Sequence, residues 1–434
     1  MKTLILTSAF LIFSLVQCSC GVGGPGAPAA ATSAPASAPA VAADPLAVPN
    51  GLGVNIFFCN PRPGEMEMIT GGGFRIVRMD FKWRTIEKVQ GQYDFSAYDG
   101  LLAALDKHNV RALLILDYGN KLYEDDNCIR TEAGRKAFAA WAVAGVKRFK
   151  GRGVLWEMWN EPNIEQFWKP KPNVQEYIQL AMEVGKALRK EAPDEQFIGP
   201  AVGTMNFQFL KACFKAGLLE YWSAVSVHPY RKTGPETAAA DYARLRGLID
   251  QYAPKGKRIP IICSEWGYPS AGGSWLGTFN KEDQGKLLPR QWLTNLASGI
   301  PVSIWYAWFD STAIPTYGMV HNYDQKRNPA YEPKPAYLAA KTLTTALAGF
   351  RFNQRLSVGG PGDYVLEFTR GEERRLAVWT TSKIPHPLQV PAKAGKYAVT
   401  GHTGQPLPEL TSDGQNVTVT ATDAPQYLTP QAPR

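Results

Sequence analysis

Between residues 52 and 350 the period of the apolar residues changes repeatedly, from short β-branched or apolar runs to longer amphipathic stretches and back. Short apolar runs bounded by Gly, Pro, Asn or Asp read as strands, and stretches whose apolar residues recur every three or four positions read as helices. Strands are expected over 53–58, 75–81, 111–118, 154–160, 197–202, 224–228, 260–265 and 302–309. Helices are expected between them over 97–108, 132–149, 174–192, 207–216, 237–252 and 281–297, with 335–347 after the last strand and a short one over 64–70. Apolar strands alternating with helices belong in a parallel sheet covered on both faces. The eight units point to an α/β fold closed as a (β/α)8 TIM barrel rather than an open doubly wound sheet. No glycine-rich phosphate loop follows the first strand, which argues against a dinucleotide fold.

Beyond residue 350 the helical period disappears. Short alternating runs over 364–369, 376–380, 388–391, 397–401 and 417–421 read as a small C-terminal β-sandwich. Its only tryptophan is Trp379, so a structural appendage is expected rather than a sugar-binding module. At the other end, Lys2 precedes an apolar stretch over 4–16 that is too short to span a bilayer, and Cys18-Ser19-Cys20 follows. Residues 1–20 therefore read as an export signal. Leu15-Val16-Gln17-Cys18 resembles a bacterial lipoprotein signal, departing from it at Gln17, so lipid anchoring and simple cleavage stand as alternatives. Residues 21–50 are rich in Ala and Pro and read as a flexible linker. Residues 51–350 form the expected barrel and 351–434 the expected sandwich. The protein is expected to be exported, as a periplasmic or cell-surface lipoprotein or in secreted form.

A net charge of +9 would suit an acidic glycan or an anionic surface, but the basic residues are scattered, so a solvated surface is the main reading and nucleic acid is not expected. The histidines show no ligand spacing, so neither metal nor cofactor is expected. Cys213 and Cys263 lie in apolar helix and strand patterns and read as core. Cys59 and Cys128 follow strands one and three, where a disulfide is expected to join them. A monomer is expected.

The chemistry lies in two glutamates. Glu161, in Trp159-Asn160-Glu161-Pro162-Asn163, and Glu265, in Ser264-Glu265-Trp266-Gly267, each close an apolar strand, the fourth and the seventh. In a barrel both strand ends open on the same face. Paired carboxylates are what hydrolysis of a glycosidic bond needs: one protonates the leaving oxygen, and the other attacks the sugar or activates water. The plainer reading makes Glu161 part of a helix start capped by Asn160, and Glu265 the partner of an arginine. That both glutamates end apolar strands and have a tryptophan within two residues weakens the two plain readings together.

Those motifs resemble the clan of retaining glycoside hydrolases built on (β/α)8 barrels, over roughly residues 51–350. Trp159-Asn160-Glu161-Pro162-Asn163, with Phe167-Trp168 after it, looks most like family 39, which includes β-xylosidases and bacterial exopolysaccharide hydrolases. Ser264-Glu265-Trp266-Gly267 is closer to family 5, although Asp117-Tyr118-Gly119-Asn120 stands where that family usually presents a histidine. The resemblance implies a carbohydrate substrate, Glu161 as acid/base and Glu265 as nucleophile. It makes Arg78 a donor to the nucleophile, with an ion pair to buried Glu157 as the alternative. It makes Tyr230 a hydroxyl donor to Glu265, His228 a sugar contact, Asn160 a donor to the sugar 2-hydroxyl, and Trp308, or else Trp305, the platform under the sugar. Endo action on an exopolysaccharide or hemicellulose is favoured over an exo-acting β-xylosidase. The rival from another class is a non-catalytic glycan-binding barrel, which would typically lack one of the two glutamates.

Overall fold

The computed structural model describes residues 44–124, 127–311, 316–324, 326 and 331–431; the expected export signal and most of the linker lie outside the described residues. Eight parallel strands close a barrel: β1 (Leu52–Asn55), β2 (Ile76–Lys82), β3 (Arg111–Asp117), β4 (Leu155–Met158), β5 (Gln196–Gly203), β6 (Ala224–His228), β7 (Ile261–Trp266) and β8 (Ser303–Trp305), in the order β1-β8-β7-β6-β5-β4-β3-β2. Each is followed by a helix: α1 (Glu65–Gly71), α2 (Ser96–Lys107), α3 (Glu132–Arg148), α4 (Val174–Glu191), α5 (Phe207–Lys215), α6 (Ala238–Tyr252), α7 (Lys281–Ala297) and α8 (Pro335–Ala346). Every strand and helix expected in this region is present, with ends displaced by a few residues. The largest displacement is at β8, which stops at Trp305.

The strands are apolar on both sides because both sides are buried. Ile76, Leu113, Ile115, Leu155, Ile198, Ala224, Ile262, Val302 and Ile304 fill the interior, while the alternate residues join a larger core beneath the helices. Polar caps set the helix starts. Thr131 accepts from the Gly134 amide, Asn173 from the Gln175 and Glu176 amides, and Asn280 forms a reciprocal capping box with Asp283.

The C-terminal region contains β9 (Arg351–Arg355), β10 (Asp363–Arg370), β11 (Glu373–Thr380), β12 (His386–Pro391), β13 (Gly395–Gly401), β14 (Pro406–Ser412), β15 (Asn416–Ala421) and β16 (Gln426–Pro430). Six pair in the order β9-β10-β11-β16-β13-β14, and β12 pairs with β15. Strands β9, β14 and β16 were not expected from the sequence. The first two are the sheet's edges and are largely exposed, so they carry no apolar alternation, and β14 contains two prolines, which edges tolerate.

One side of the large sheet, with Leu366, Phe368, Ala377, Trp379 and Tyr427, merges with the barrel core, while Val365, Leu376, Val378 and Leu428 build the sandwich's own core. Arg290 of α7 and Trp379 both bond Glu236, and Lys286 pairs with Asp423 at 2.9 Å. Trp379 is thus wholly buried against the barrel and offers no face to a sugar. Ahead of β1, the Val48 amide donates to the Phe350 carbonyl at 3.0 Å, the Gly349 amide donates to the Val48 carbonyl at 2.7 Å, and Arg351 pairs with Asp44 at 2.5 Å.

Cys213 and Cys263 are buried core residues, as expected. The expected bridge between Cys59 and Cys128 is not made: Cys128 is packed wholly inside the core and Cys59 sits half-buried at its margin. Among the described residues no helix is long and apolar enough to cross a membrane.

Candidate active site

Strand β4 ends in a strained turn. Trp159 and Glu161 hold φ of 67° and 45°, a region that side-chain-bearing residues rarely occupy, so the surrounding structure must impose it. The Trp159 indole is wholly buried against Trp168 and donates to the Phe167 carbonyl at 2.9 Å. The Glu161 amide donates to the Ala201 carbonyl at 3.0 Å, and Asn163 exchanges two hydrogen bonds with the Gly203 backbone at 2.8 and 2.9 Å. Gly203 leaves room for the carboxyl, since a Cβ there would stand 2.9 Å from the Glu161 carboxyl carbon.

From the opposite wall, β7 supplies Glu265. Carboxylate oxygens of Glu161 and Glu265 and a ring nitrogen of His228 all lie within 4.8 Å of one another. Arg78 lies beneath them. Its inward direction follows from alternation with Ile76, which lines the interior. Nη1 donates to Glu265 Oε2 at 2.6 Å and to Asn55 at 3.1 Å, Nε to Glu157 at 2.8 Å, and Nη2 to Asn160 Oδ1 at 2.8 Å. Arg78 thus serves Glu265 and buried Glu157 together. Burial opposes its charge, but Glu157 and Glu265 outweigh burial and raise its pKa. The Tyr230 hydroxyl donates to Glu265 Oε1 at 2.9 Å.

His228 is wholly buried, so it is not the sugar contact that the sequence suggested. It lies 3.4 Å from Arg78 Nη2, 3.1 Å from Ser264 Oγ and 2.9 Å from Glu161 Oε1. Arginine can only donate, so Nε2 is the acceptor and Nδ1–H donates to Glu161. Burial, ahead of the opposing Glu265 charge, lowers the imidazole pKa to about 4, which keeps it neutral.

The two carboxyls differ in environment. Burial raises Glu161 to about 7, with Arg78 opposing and Glu157 adding to the rise. Burial raises Glu265 as well, with the charge of Glu161 adding to the rise; Arg78 and the Tyr230 hydroxyl oppose it, and these two direct donors favour its ionised form.

Neither expected platform is available. Trp305 and Trp308 are wholly buried, and the Trp308 indole donates to Glu65 at 2.9 Å. Tyr306 between them is half-buried, edge-on to Phe57 and Tyr317 at 5.9 and 5.7 Å, and it senses the charges of Glu265 and Glu161. The signal was in the sequence: Val302, Ile304 and Tyr306 share the inward face by alternation, whereas Trp305 points outward. Gly267 admits this loop, because a Cβ there would stand 2.0 Å from the Tyr306 carbonyl.

The family model for glycosyl hydrolases family 39 matches residues 144–254, from the end of α3 past the end of α6. That span holds Glu161 and His228. Comparison with curated proteins gave no match. Among solved structures, a family 39 glycoside hydrolase from Bacteroides cellulosilyticus WH2 is 22% identical, with a TM-score of 0.75 over 89% of this chain and 82% of that one. A family 39 β-xylosidase from Caulobacter crescentus is 16% identical, with a TM-score of 0.66 over 90% and 98% of the two chains. A family 30 endoxylanase from Clostridium papyrosolvens C71 is 13% identical, with a TM-score of 0.64 over 88% and 96%. These likenesses share the barrel with its β-rich appendage. Together with the matched segment they define the protein as a glycoside hydrolase. The matching model is that of family 39, the family the Trp159–Asn163 motif resembles, and the family 5 likeness is a lesser addition.

Proposed function

We propose that this protein is a retaining β-glycosidase that cleaves O-glycosidic bonds of a polysaccharide or oligosaccharide by double displacement. The supporting observation is the approach of the Glu161 and Glu265 oxygens to within 4.8 Å. Retaining enzymes hold their carboxyls ~5–5.5 Å apart, and inverting enzymes leave ~6.5–9.5 Å for a water. Glu265, ionised by Arg78 and Tyr230, attacks the anomeric carbon while Glu161 gives its proton to the departing oxygen. Ionised Glu161 then takes a proton from water, which displaces Glu265 from the sugar. Because Nδ1–H of His228 occupies Glu161 Oε1, the proton in transit belongs on Oε2. The Asn160 carbonyl oxygen is taken by Arg78, which leaves its amide N–H groups to donate to the 2-hydroxyl as positive charge builds at the anomeric carbon. Tyr306 supplies the apolar face beneath the ring.

Endo action on a hemicellulose or an exopolysaccharide is the reading carried forward. The β-xylosidase and endoxylanase likenesses make xylan and xylo-oligosaccharides the first substrates to test. Export, with or without a lipid at Cys18, fits action on polymers outside the cytoplasm.

Two measurements test the mechanism. An aryl 2-deoxy-2-fluoro-β-glycoside should leave its sugar on the peptide bearing Glu265, and the first-formed product should keep the β configuration by NMR. An α-configured first product, or a label elsewhere, sinks the proposal. Glu161→Ala should retain much of its activity only on good leaving groups, with azide accelerating its second step.

A further inference from the structure

A second ionisable cluster at the ends of β2 and β3 has no part in the mechanism above. Arg78, Asp80 and Lys82 alternate along β2 and so share its inward face with Ile76. Lys82 Nζ lies 3.1 Å from Asp80 Oδ2, and both side chains remain partly open, at 24% and 31% exposure. Asp117 stands opposite Lys82 in the register and is wholly buried, and neither of its carboxyl oxygens has a hydrogen-bond partner.

By alternation the Asp117 side chain shares the inward face of the two adjoining strands with Asp80, whose charge reaches it. Two bare carboxylates so placed would repel each other and leave Asp117 unsatisfied. A proton held on Asp117 and donated to Asp80 removes both costs. The electrostatics agree: burial first, then the charge of Asp80, push Asp117 well above the usual carboxylate range, against Lys82 and Arg78. Asp80 is two residues beyond Arg78, ~6.6 Å up the strand, and hence one layer nearer the mouth than the guanidinium that holds Glu265. Its charge reaches both Tyr118 and Tyr306, the second of which also senses Glu265 and Glu161.

We infer that Asp80 is a specificity-determining acceptor for a ring hydroxyl of the sugar held against Glu265, and that Asp117 is the positioning residue that fixes Asp80 through a shared proton. Lys82 neutralises Asp80 and Asp117 carries its proton, so the cluster has no net charge. It takes a neutral hydroxyl rather than an ammonium. Asn160 attends to the 2-hydroxyl, which leaves the 3- or 4-hydroxyl for Asp80. The inference rests on the glycosidase reading above.

The test compares aryl β-glycosides of the sugar that the wild-type protein turns over with their 3- and 4-deoxy analogues. Removing one of those hydroxyls should lower wild-type kcat/KM ~10- to 100-fold, the range of a hydrogen bond to a charged group. Asp80→Asn should erase most of that difference. Asp117→Asn, whose amide can still donate to Asp80, should keep the wild-type ratio, a result that a merely space-filling role for Asp117 would not predict for Asp117→Leu, where the ratio should collapse. Thermal unfolding checks that each variant is folded. A wild-type ratio retained in folded Asp80→Asn overturns the inference while leaving the glycosidase reading intact. A wild-type protein that neither turns over any such glycoside nor is labelled by the fluoro analogue fails the glycosidase reading, and the inference falls with it.

Discussion

Arg290, at the junction of barrel and sandwich, and Arg78, on the floor of the bowl, are both buried guanidiniums paired with glutamates. Arg290 gives Nε and Nη2 to the two oxygens of a single acid, Glu236, at 2.6 and 3.0 Å, and Trp379 adds a third donor to the same carboxylate at 2.8 Å. That pair is closed: each charge is matched and each planar face fixed, which suits a joint between two layers. Arg78 divides its donors among Glu157, Asn55, Glu265 and Asn160. It gives Glu265 one short bond that favours the ionised carboxylate while leaving the other oxygen to Tyr230. A dedicated pair builds a joint, and a shared guanidinium builds a poised site.

Arg78→Met should be the most damaging change. It withdraws a donor from Glu265, the nucleophile of the proposed mechanism, costing on the order of 10³-fold in kcat, and it strands Glu157 for a further ~3–5 kcal/mol of stability. Steady-state kinetics beside denaturant unfolding would separate the two effects. Arg290→Met should cost a similar ~3–5 kcal/mol by stranding Glu236, yet leave kcat per folded molecule unchanged. If its kcat falls as steeply as that of Arg78→Met, the contrast between joint and site is wrong.

Gly203→Ala should be milder for the fold but harmful to turnover, because its Cβ would press on the Glu161 carboxyl. A displacement of ~1 Å can cost ~100-fold in rate, and a kcat unaffected by this change would mean that Glu161 is not held where it is drawn. The pH profile is gentler. Glu161 must be protonated for the first step and burial holds its proton up to about 7, so kcat/KM should fall as pH rises through that value. Glu161→Gln should remove that limb. The smallest effect belongs to Trp379→Phe, which deletes one donor to Glu236 and should cost ~1 kcal/mol in unfolding with no change in rate.

The barrel was legible because each of its strands is buried on both sides and each is followed by an amphipathic helix, so the two periods alternate without interruption. Glu161 and Glu265 were legible because each closes an apolar run. His228 was placed in the right neighbourhood with the wrong duty, since the sequence locates a side chain on a strand face but does not say that Ser264, Arg78 and Glu161 seal it from solvent. The platform was misjudged for a simpler reason. Large aromatics attract attention, while strand parity, which puts Tyr306 inward and Trp305 outward, is read only by counting back to Ile304. Gly203 and the Asp80–Asp117 pair escaped because both depend on how neighbouring strand ends meet. Edge strands β9 and β14 escaped because a strand exposed on most of its surface has no apolar rhythm to show.

The stitching of Val48 to Gly349 and Phe350 has a directional consequence. It lies ahead of β1, at the end of the barrel opposite the one on which Glu161 and Glu265 open. Asp44, pinned by Arg351, is therefore on the underside. If the segment before it is moored to a surface, as the Cys18 reading expects, the tether joins the molecule beneath the bowl and leaves the mouth clear of its own attachment.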